Sequence, residues 1–239
     1  MNAPPGIAVL IPAAGAGRRM GGSGSKVLAP LAGEPLIRHT VRLFHALPAI
    51  EAIHVICRPA ERAALQACFA HREAWAKLRP LIEGGAERRD SVFRGLHALE
   101  SRPPWAVLVH DGARPCCSPA LVARLLAALE TAEAAVPVIP LADTVRRRAE
   151  GRSEVVDRAA LLRTQTPQAF RWATLHEAYR CGMTLPNAFT DDAQFVEAAG
   201  GAVATVPGEA RNIKVTHGDD LALAAWLLQH PHWGLGADP

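Results

Sequence analysis

Residues 7–26 read IAVLIPAAGAGRRMGGSGSK, a short apolar run followed by a loop of small residues. The run Ile7–Ile11 stops at Pro12 and has the composition of a buried β-strand. Glycine and alanine after that strand let the backbone approach a phosphate or a base closely and direct N–H groups at it. The same loop carries the cations that a triphosphate requires, namely Arg18, Arg19 and Lys26. The stretch therefore predicts a strand and a loop that bind a nucleotide.

Two known phosphate-binding fingerprints do not fit this loop. A dinucleotide fingerprint requires glycine three residues after Gly17, and Met20 stands there. A P-loop requires glycine before its lysine and serine or threonine after it, whereas Ser25 and Val27 flank Lys26. The alternative interpretation is a glycine-rich connection with solvated charges.

Strand and helix patterns alternate along the rest of the chain, in a single domain over residues 1–239. This alternation predicts an α/β fold with a mostly parallel twisted sheet and helices on both faces. Further predicted strands are Ile53–Cys57, Ala106–Val109, Val136–Pro140, Ala202–Val206 and Ile213–Val215, and helices are predicted near residues 36–47, 60–69, 91–99, 121–129, 172–181, 191–199 and 221–228.

A polar and basic segment, Asp143–Asp157, interrupts this alternation. Arg146, Arg147 and Arg148 lie at its middle, and valines flank it on both sides. Such a segment predicts a β-hairpin arm that projects from the domain. Residues 230–239 are expected to form a loose tail.

Composition argues against several classes of protein. The net charge of +3 is too small to favour nucleic-acid or membrane binding. No aromatic residues are interleaved with the arginines of the arm, as stacking on nucleic acid would require. No apolar run is long enough to span a membrane. Five irregularly spaced cysteines and no signal-peptide pattern favour a reduced cytoplasmic protein.

A second candidate motif, residues 110–115 (HDGARP), directly follows a predicted buried strand. In open α/β sheets, ligands gather at the carboxyl ends of strands. Asp111 would there bind Mg²⁺ or a ribose hydroxyl, and Arg114 would pair with a phosphate. The competing interpretation is that Asp111 caps the next helix.

Three further polar clusters give weaker signals. Residues 84–91 (GGAERRDS) place a turn and arginines ahead of a helix, which suits a nucleotide contact or simple helix capping. Residues 164–168 (TQTPQ) form a polar loop or a surface turn. Lys214 interrupts an apolar run, either in a site or at a sheet edge. No metal-ligand cage or nucleophile elbow is visible, so we expect direct in-line transfer without a covalent intermediate.

Taken in order, these motifs resemble the 2-C-methyl-D-erythritol 4-phosphate cytidylyltransferases of the non-mevalonate isoprenoid pathway, from about Ile7 to Leu228. The resemblance implies a Rossmann-like nucleotide-diphosphosugar transferase fold with a projecting β-arm, in a homodimer. It also implies that CTP and methylerythritol phosphate react, with Mg²⁺, to give the cytidine diphosphate product and pyrophosphate.

The resemblance further implies roles for individual residues. Arg19 and Lys26 would stabilise the transition state, and Asp111 would contact the metal. The nucleotide would be bound by Pro12, Ala13, Ala14, Gly15, Ala16, Gly17, Gly85, Arg88 and Ser91. The polyol phosphate would be bound by Asp111, Gly112, Arg114, Thr144, Arg158, Thr166, Thr190 and Lys214.

Three positions depart from the usual pattern of that family. Gly112 stands where alanine is common, Val27 where glutamine is common, and Asp192 where glutamate is common. Two alternative functions stay open from the sequence alone. One is a ribitol-5-phosphate cytidylyltransferase, and the other is a non-catalytic regulator that binds a nucleotide.

Overall fold

A computed structural model of the chain describes residues 6–13, 25–149, 151–185 and 189–233. Its strands are β1 (Ile7–Pro12), β2 (Pro30–Leu31), β3 (Glu34–Pro35), β4 (Ile50–Cys57), β5 (Ile82–Glu83), β6 (Ala106–Val109), β7 (Ala134–Pro140), β8 (Val145–Ala149), β9 (Arg152–Val156), β10 (Leu162–Thr164), β11 (Gln168–Arg171) and β12 (Ala204–Pro207). Its α-helices are α1 (Leu36–Ala46), α2 (Arg62–Cys68), α3 (Arg88–His97), α4 (Pro119–Ala128), α5 (Trp172–Gly182), α6 (Ala193–Ala198) and α7 (Gly218–Gln229).

The central sheet has eight strands in the order β10-β7-β11-β6-β1-β4-β5, with β12 paired to β7. Strand β1 pairs in parallel with β4 and β6, β4 with β5, and β7 with β12. Strand β11 is antiparallel to its neighbours β6 and β7. The predicted mostly parallel α/β sheet is therefore confirmed.

Each face of the sheet packs against its own group of helices. On β1, Val9 and Ile11 face a cluster that includes α1 and α4, whereas Leu10 faces a cluster that includes α3 and α5. Because a strand buried on both faces needs apolar side chains on both, β1 is apolar along its length rather than alternating. This is why residues 7–11 mark the sheet so clearly in the sequence.

Helix α3 packs unusually close to the sheet at Gly95. A Cβ atom added there would lie 2.8 Å from Ile56 Cδ1 and 3.0 Å from Leu10 Cδ1. Glycine thus allows a close approach that any larger residue would oppose. The approach matters for the site, because the first turn of α3 carries Arg88 and Ser91.

The predicted arm is a separate two-stranded antiparallel sheet. Strands β8 and β9 pair from Val145 opposite Val156 to Ala149 opposite Arg152. Gly151, at the turn, has a positive φ of 69°, a conformation that glycine adopts without strain. Most of the arm's described residues are exposed, and the arm projects from the main sheet as expected.

One predicted strand and one alternative interpretation were wrong. Ile213–Val215 is not a strand, because its backbone crosses to the loop after β6, where the Val215 N–H donates to the Ala113 carbonyl at 2.9 Å. Residues 164–168 are not a surface turn, since Gln165, Thr166 and Gln168 are buried between β10 and β11.

The start of the predicted loose tail is attached to the domain. Arg211 donates hydrogen bonds to the carbonyls of Pro231 and Trp233, and Trp233 packs edge-to-face on Trp226. Residues 234–239 of that tail lie outside the described residues. Within the described ranges, no helix combines the length and the apolar character needed to cross a bilayer.

Candidate active site

A pocket opens at the sheet edge where β1, β4, β5 and β6 end. Four cationic and two acidic side chains lie in its wall, so the pocket carries an excess of positive charge that favours anionic ligands. Its described lining residues are Pro12, Ala13, Lys26, Val27, Arg58, Gly85, Ala86, Glu87, Arg88, Ser91, Asp111, Gly112, Ala113 and Lys214.

Asp111 is the carboxylate on which three cations converge. Its Oδ2 lies 2.8 Å from Lys214 Nζ and 3.5 Å from Arg114 Nε, and its Oδ1 lies 3.7 Å from Arg88 Nε. Burial alone would raise the pKa of the Asp111 carboxyl, but Lys214, Arg88 and Arg114 hold that pKa far below its ordinary value. Asp111 is therefore a permanently ionised group in the pocket wall.

The helix-capping interpretation of Asp111 is wrong. Helix α4 is capped by Ser118, whose Oγ accepts from the Leu121 N–H at 3.0 Å. Asp111 directs its side chain to the cations instead, and its backbone N–H donates to Thr166 Oγ1 at 3.0 Å. The motif after β6 therefore serves the pocket.

His110 is a buried residue that holds this motif in place through two hydrogen bonds. Its Nε2 lies 3.0 Å from the Arg114 carbonyl, and its Nδ1 lies 3.3 Å from Thr166 Oγ1. Complete burial lowers the pKa of His110 to about 4, so the imidazole is neutral at neutral pH. Because Nε2 must then donate to the carbonyl, Nδ1 accepts from the threonine hydroxyl. His110 and Thr166 thus fix the loop that carries Asp111.

The turn between β5 and α3 forms another wall of the pocket. The Gly85 N–H donates to Ser91 Oγ at 3.1 Å, and Ser91 Oγ donates to the Glu87 carbonyl at 3.0 Å. Glu87 and Asp90 also form a reciprocal capping box at the start of α3. The helix-capping interpretation of residues 84–91 is therefore confirmed, and the capped turn also lines the pocket.

Arg88 lies in this wall and is held from behind. Its Nη1 and Nη2 donate to Asp192 Oδ1 and Oδ2 at 2.9 and 2.7 Å. Asp192 is fully buried and also accepts from the Tyr179 hydroxyl at 2.5 Å. Arg88 therefore bridges the carboxylate of Asp192 and that of Asp111 in the pocket.

Lys26 contacts the backbone segment that carries Lys214 into the pocket. Lys26 Nζ donates to the Val215 carbonyl at 3.2 Å, and Arg114 Nη1 donates to the Asn212 carbonyl at 2.7 Å. The segment from Asn212 to Val215 is thereby attached at both ends. This attachment places Lys214 over Asp111.

The structure brings together nine of the residues proposed from sequence: Pro12, Ala13, Lys26, Gly85, Arg88, Ser91, Asp111, Gly112 and Lys214. Arg114 and Thr166 lie directly behind them, bonded to the Asp111 loop. Ala14, Gly15, Ala16, Gly17 and Arg19 lie outside the described residues.

Three proposed residues do not line the pocket. Thr144 and Arg158 are exposed at the base of the arm, where Arg158 donates to the Ala142 carbonyl. Thr190 contacts Gln194, with its N–H 2.7 Å from Gln194 Oε1. Any contact of Thr144 or Arg158 with a ligand in this pocket therefore requires a different arrangement, such as a second chain.

Two charged residues that matter for this region, one in the lining and one behind it, were not proposed as site residues from the sequence. Arg58 lines the pocket directly after β4, and its place at the carboxyl end of a parallel strand was a usable signal. Asp192 holds Arg88 across a separation of 104 residues, and no local pattern indicates such a pairing.

The donor set fits one divalent cation shared with a substrate. No cluster of three or more His, Cys, Asp or Glu residues suited to a metal occurs in the part of the chain that the structure describes. Mg²⁺ is commonly held by one or two carboxylates together with substrate phosphates. Asp111 is the carboxylate of this pocket that would contribute to such a shared ion.

Comparisons with known proteins agree on one family. A sequence profile described as IspD, 2-C-methyl-D-erythritol 4-phosphate cytidylyltransferase, matches residues 7–230. The chain is 42% identical to 2-C-methyl-D-erythritol 4-phosphate cytidylyltransferase of Syntrophotalea carbinolica, over 94% of this chain and 97% of that protein. It is 44% identical to the bifunctional enzyme IspD/IspF of Rhodospirillum rubrum, over 93% of this chain and 57% of that enzyme.

Solved structures give the same result. The 4-diphosphocytidyl-2C-methyl-D-erythritol synthase of Anaerococcus prevotii superposes with a TM-score of 0.81 at 26% identity, covering 94% of this chain and 96% of that one. The 2-C-methyl-D-erythritol 4-phosphate cytidylyltransferase of Thermus thermophilus gives a TM-score of 0.76 at 36% identity, covering 94% and 99%.

Proposed function

The chain belongs to the 2-C-methyl-D-erythritol 4-phosphate cytidylyltransferase family, and from that premise we propose that the Asp111 pocket is its active site. The protein is a nucleotidyltransferase that converts CTP and 2-C-methyl-D-erythritol 4-phosphate to 4-diphosphocytidyl-2-C-methyl-D-erythritol and pyrophosphate, in isoprenoid precursor biosynthesis. The observation that carries the assignment of the site is the convergence of Lys214, Arg88 and Arg114 on Asp111 at the sheet edge.

The reaction needs positioning and charge stabilisation rather than a general base. The attacking group of the polyol phosphate is an ionised phosphate oxygen, which attacks the α-phosphorus of CTP while pyrophosphate leaves. Negative charge grows on that leaving group, so nearby cations stabilise the transition state. Lys26 supplies such a charge from the pocket wall, and Arg19 is its partner in our proposal.

The nucleotide and the polyol phosphate are assigned to different walls. Backbone groups near Pro12, Ala13 and Gly85, with Arg88 and Ser91, would enclose the nucleotide, together with residues 14–17. Lys214 and Gly112 would contact the polyol phosphate beside Asp111. Mg²⁺ would be held by Asp111 and phosphate oxygens, and would neutralise charge on the triphosphate.

A second copy of the chain would complete the site. Thr144 and Arg158 carry proposed substrate contacts, yet both lie on the exposed base of the arm. Val155 in the arm and Leu162 just beyond it are 61% and 52% exposed, which is unusual for large apolar side chains. We therefore propose a homodimer in which each arm reaches the partner's pocket, with Thr190 also near the polyol phosphate.

The cysteines support a reducing compartment. All five lie in the described part of the chain without a disulfide, and Cys57, Cys116 and Cys117 are buried. Free buried thiols of this kind are typical of cytoplasmic proteins, so we assign the enzyme to the cytoplasm. CTP and a polyol phosphate, rather than nucleic acid or a membrane, are its expected partners.

A substrate panel tests the reaction. Purified protein with Mg²⁺ should release pyrophosphate from CTP and 2-C-methyl-D-erythritol 4-phosphate, and much more slowly from ATP, GTP or UTP. Ribitol 5-phosphate is the competing acceptor. Faster turnover of ribitol 5-phosphate would overturn the acceptor assignment and leave only the reaction class. Nucleotide binding without any pyrophosphate release would instead indicate a non-catalytic regulator.

A further inference from the structure

Asp192 lies behind the pocket and takes no part in the reaction described above. We propose that Asp192 is a positioning residue: with Tyr179 it fixes the Arg88 guanidinium in the nucleotide wall, and it thereby sets the affinity for the nucleoside triphosphate without touching it. The inference rests on the proposed assignment of this wall to the nucleotide.

The pairing of Arg88 with Asp192 is bidentate. Nη1 and Nη2 donate to the two carboxylate oxygens at 2.9 and 2.7 Å, which fixes the plane of the guanidinium as well as its distance. The Arg88 side chain is 32% exposed, whereas Asp192 is 0% exposed. Ligands therefore reach the arginine but not the carboxylate that orients it.

Asp192 is itself held by Tyr179 and Gln168. Tyr179 donates to Oδ1 at 2.5 Å, and the backbone N–H of Asp192 donates to Gln168 Oε1 at 3.2 Å. Tyr179 is fully buried and stacks on Phe195 with ring centroids 3.8 Å apart. Because Gln168 begins β11 and Tyr179 lies in α5, the carboxylate is a rigid point of the core.

This geometry determines what Arg88 offers to a ligand. Nη1 and Nη2 each donate one N–H to Asp192, and Nε lies 3.7 Å from Asp111 Oδ1. Arg88 is thus held in one orientation beside Gly85 and Ser91, and its remaining N–H groups face the pocket in a fixed direction. Without Asp192, the Arg88 guanidinium would turn toward Asp111. We expect this to change the proposed nucleotide wall more than the position of Lys214.

Four variants separate positioning from mere stability. Asp192→Asn keeps the shape and removes the charge, and Asp192→Glu restores the charge with the residue common in the family. Tyr179→Phe removes one hydrogen bond and keeps the stacked ring. Arg124→Gln is the matched control, because Arg124 also pairs with a buried carboxylate, Glu209, at 2.9 Å but lies away from the pocket.

The measurements are kcat, the KM for each substrate, the Kd for CTP by calorimetry, and the melting temperature. We expect Asp192→Asn to raise the KM and Kd for CTP about tenfold or more, because it breaks a charged bidentate pair. The KM for the polyol phosphate should stay within about twofold, and Asp192→Glu should recover most of the CTP affinity. Tyr179→Phe should raise the KM for CTP about threefold.

The control variant, Arg124→Gln, should have a lower melting temperature but unchanged kcat, KM and Kd values. Equal rises in both Michaelis constants, or a lower melting temperature with CTP binding unchanged, would overturn the proposal. If Asp192→Asn does not fold, Tyr179→Phe provides the test. An unchanged affinity for CTP in Tyr179→Phe would then overturn the proposal. A wild-type protein that binds CTP but releases no pyrophosphate would contradict the proposed reaction, while calorimetry would still test Asp192.

Discussion

Asp111 shows how a single residue can organise a binding site. Its carboxylate is buried beside Lys214, Arg114 and Arg88, and the cations more than compensate for the cost of burying it. The charges are oriented before substrate arrives, so little reorganisation is left for the reaction. In the proposed mechanism, Lys26 supplies a further positive charge to the transition state.

The lysine prediction concerns charge in the transition state. Lys26→Ala should lower kcat by roughly 10²–10⁵, the range for cations in phosphoryl transfer. Lys77→Ala is a matched control, because Lys77 also donates to a backbone carbonyl, that of Leu47 at 2.7 Å, away from the pocket. Steady-state kinetics and melting curves measure both variants. A near-normal kcat in Lys26→Ala would contradict the mechanism.

The histidine prediction concerns stability below neutral pH. Burial lowers the pKa of His110 to about 4, below its ordinary value of 6.5, so the unfolded chain binds the proton more tightly. Stability should therefore fall as pH drops from about 6.5 to about 4, by about 3 kcal/mol for this residue. Urea unfolding at several pH values measures this slope, and His110→Gln should reduce it.

His54 should contribute to the same slope. Burial, aided by Arg79, lowers the pKa of His54 to about 4 as well. His54→Gln should therefore flatten the slope further when combined with His110→Gln. A slope between pH 6.5 and 4 that neither variant changes would show that other groups control acid stability.

Individual site residues were predictable to different degrees. Asp111 and Gly85 stand shortly after strands β6 and β5, and Lys26 stands between β1 and β2, so chain position indicates a ligand site. Asp192 was not predictable as the partner of Arg88, because a contact across 104 residues depends on how β11 and α5 pack. Local sequence therefore predicts the residues that line the pocket. It does not predict the distant residues that orient their side chains.

At the scale of elements, helix α3 connects core packing to the nucleotide wall. Gly95 allows the helix to approach Ile56 and Leu10, and the first turn of the same helix carries Arg88 and Ser91. A substitution in the middle of helix α3 should therefore also shift the residues that this helix contributes to the pocket.

The glycine prediction tests that connection. Gly95→Ala gains about 1 kcal/mol in helix propensity but should lose about 1–3 kcal/mol to overpacking, for a net loss near 1 kcal/mol. Adding Ile56→Val removes the Cδ1 atom that lies 2.8 Å from the new Cβ, and should restore stability. Gly218→Ala, with no atom within 4 Å, is the control and should not destabilise. Urea unfolding measures all three, and independent effects of Gly95→Ala and Ile56→Val would disprove the contact.

Elements that obey simple periodicity were found from sequence, and the others were not. Strand β1 is apolar on both faces and was evident. Strand β11 has only four residues and lies antiparallel between β6 and β7, so neither its length nor its alternation distinguishes it from a loop. Ile213–Val215 has the composition of a strand, but its hydrogen bonds serve the pocket instead.

At the scale of the whole molecule, the position of the arm supports the proposed dimer. The proposed contacts from Thr144 and Arg158 lie on the arm, outside the lining of the pocket. A two-fold dimer in which each arm reaches the partner's pocket would bring Thr144 and Arg158 to the ligand. Light scattering should then give twice the mass of one 25.5 kDa chain.

Hybrid dimers test the exchange of arms. Lys26→Ala and Arg158→Ala homodimers should each be nearly inactive, because every site lacks one group. Co-refolding at equal amounts gives hybrids in half of the dimers, each with one intact site and one site lacking both groups. Activity should thus recover to about a quarter of wild type. Hybrids that form but stay inactive would place Arg158 in its own chain's site or outside any site.

The long-range pairing of Arg88 also has a consequence for synthesis on the ribosome. Asp192 is added 104 residues after Arg88, which takes about 5–20 s at ordinary rates of elongation. When that interval begins β1 and β4 are already made, and β6 is added within it, but the Arg88 guanidinium of the proposed nucleotide wall does not yet have its bidentate partner. In the incomplete chain, Arg88 is therefore not held in its final orientation. A nucleotide that binds at that stage would bind with a different affinity from that of the complete site.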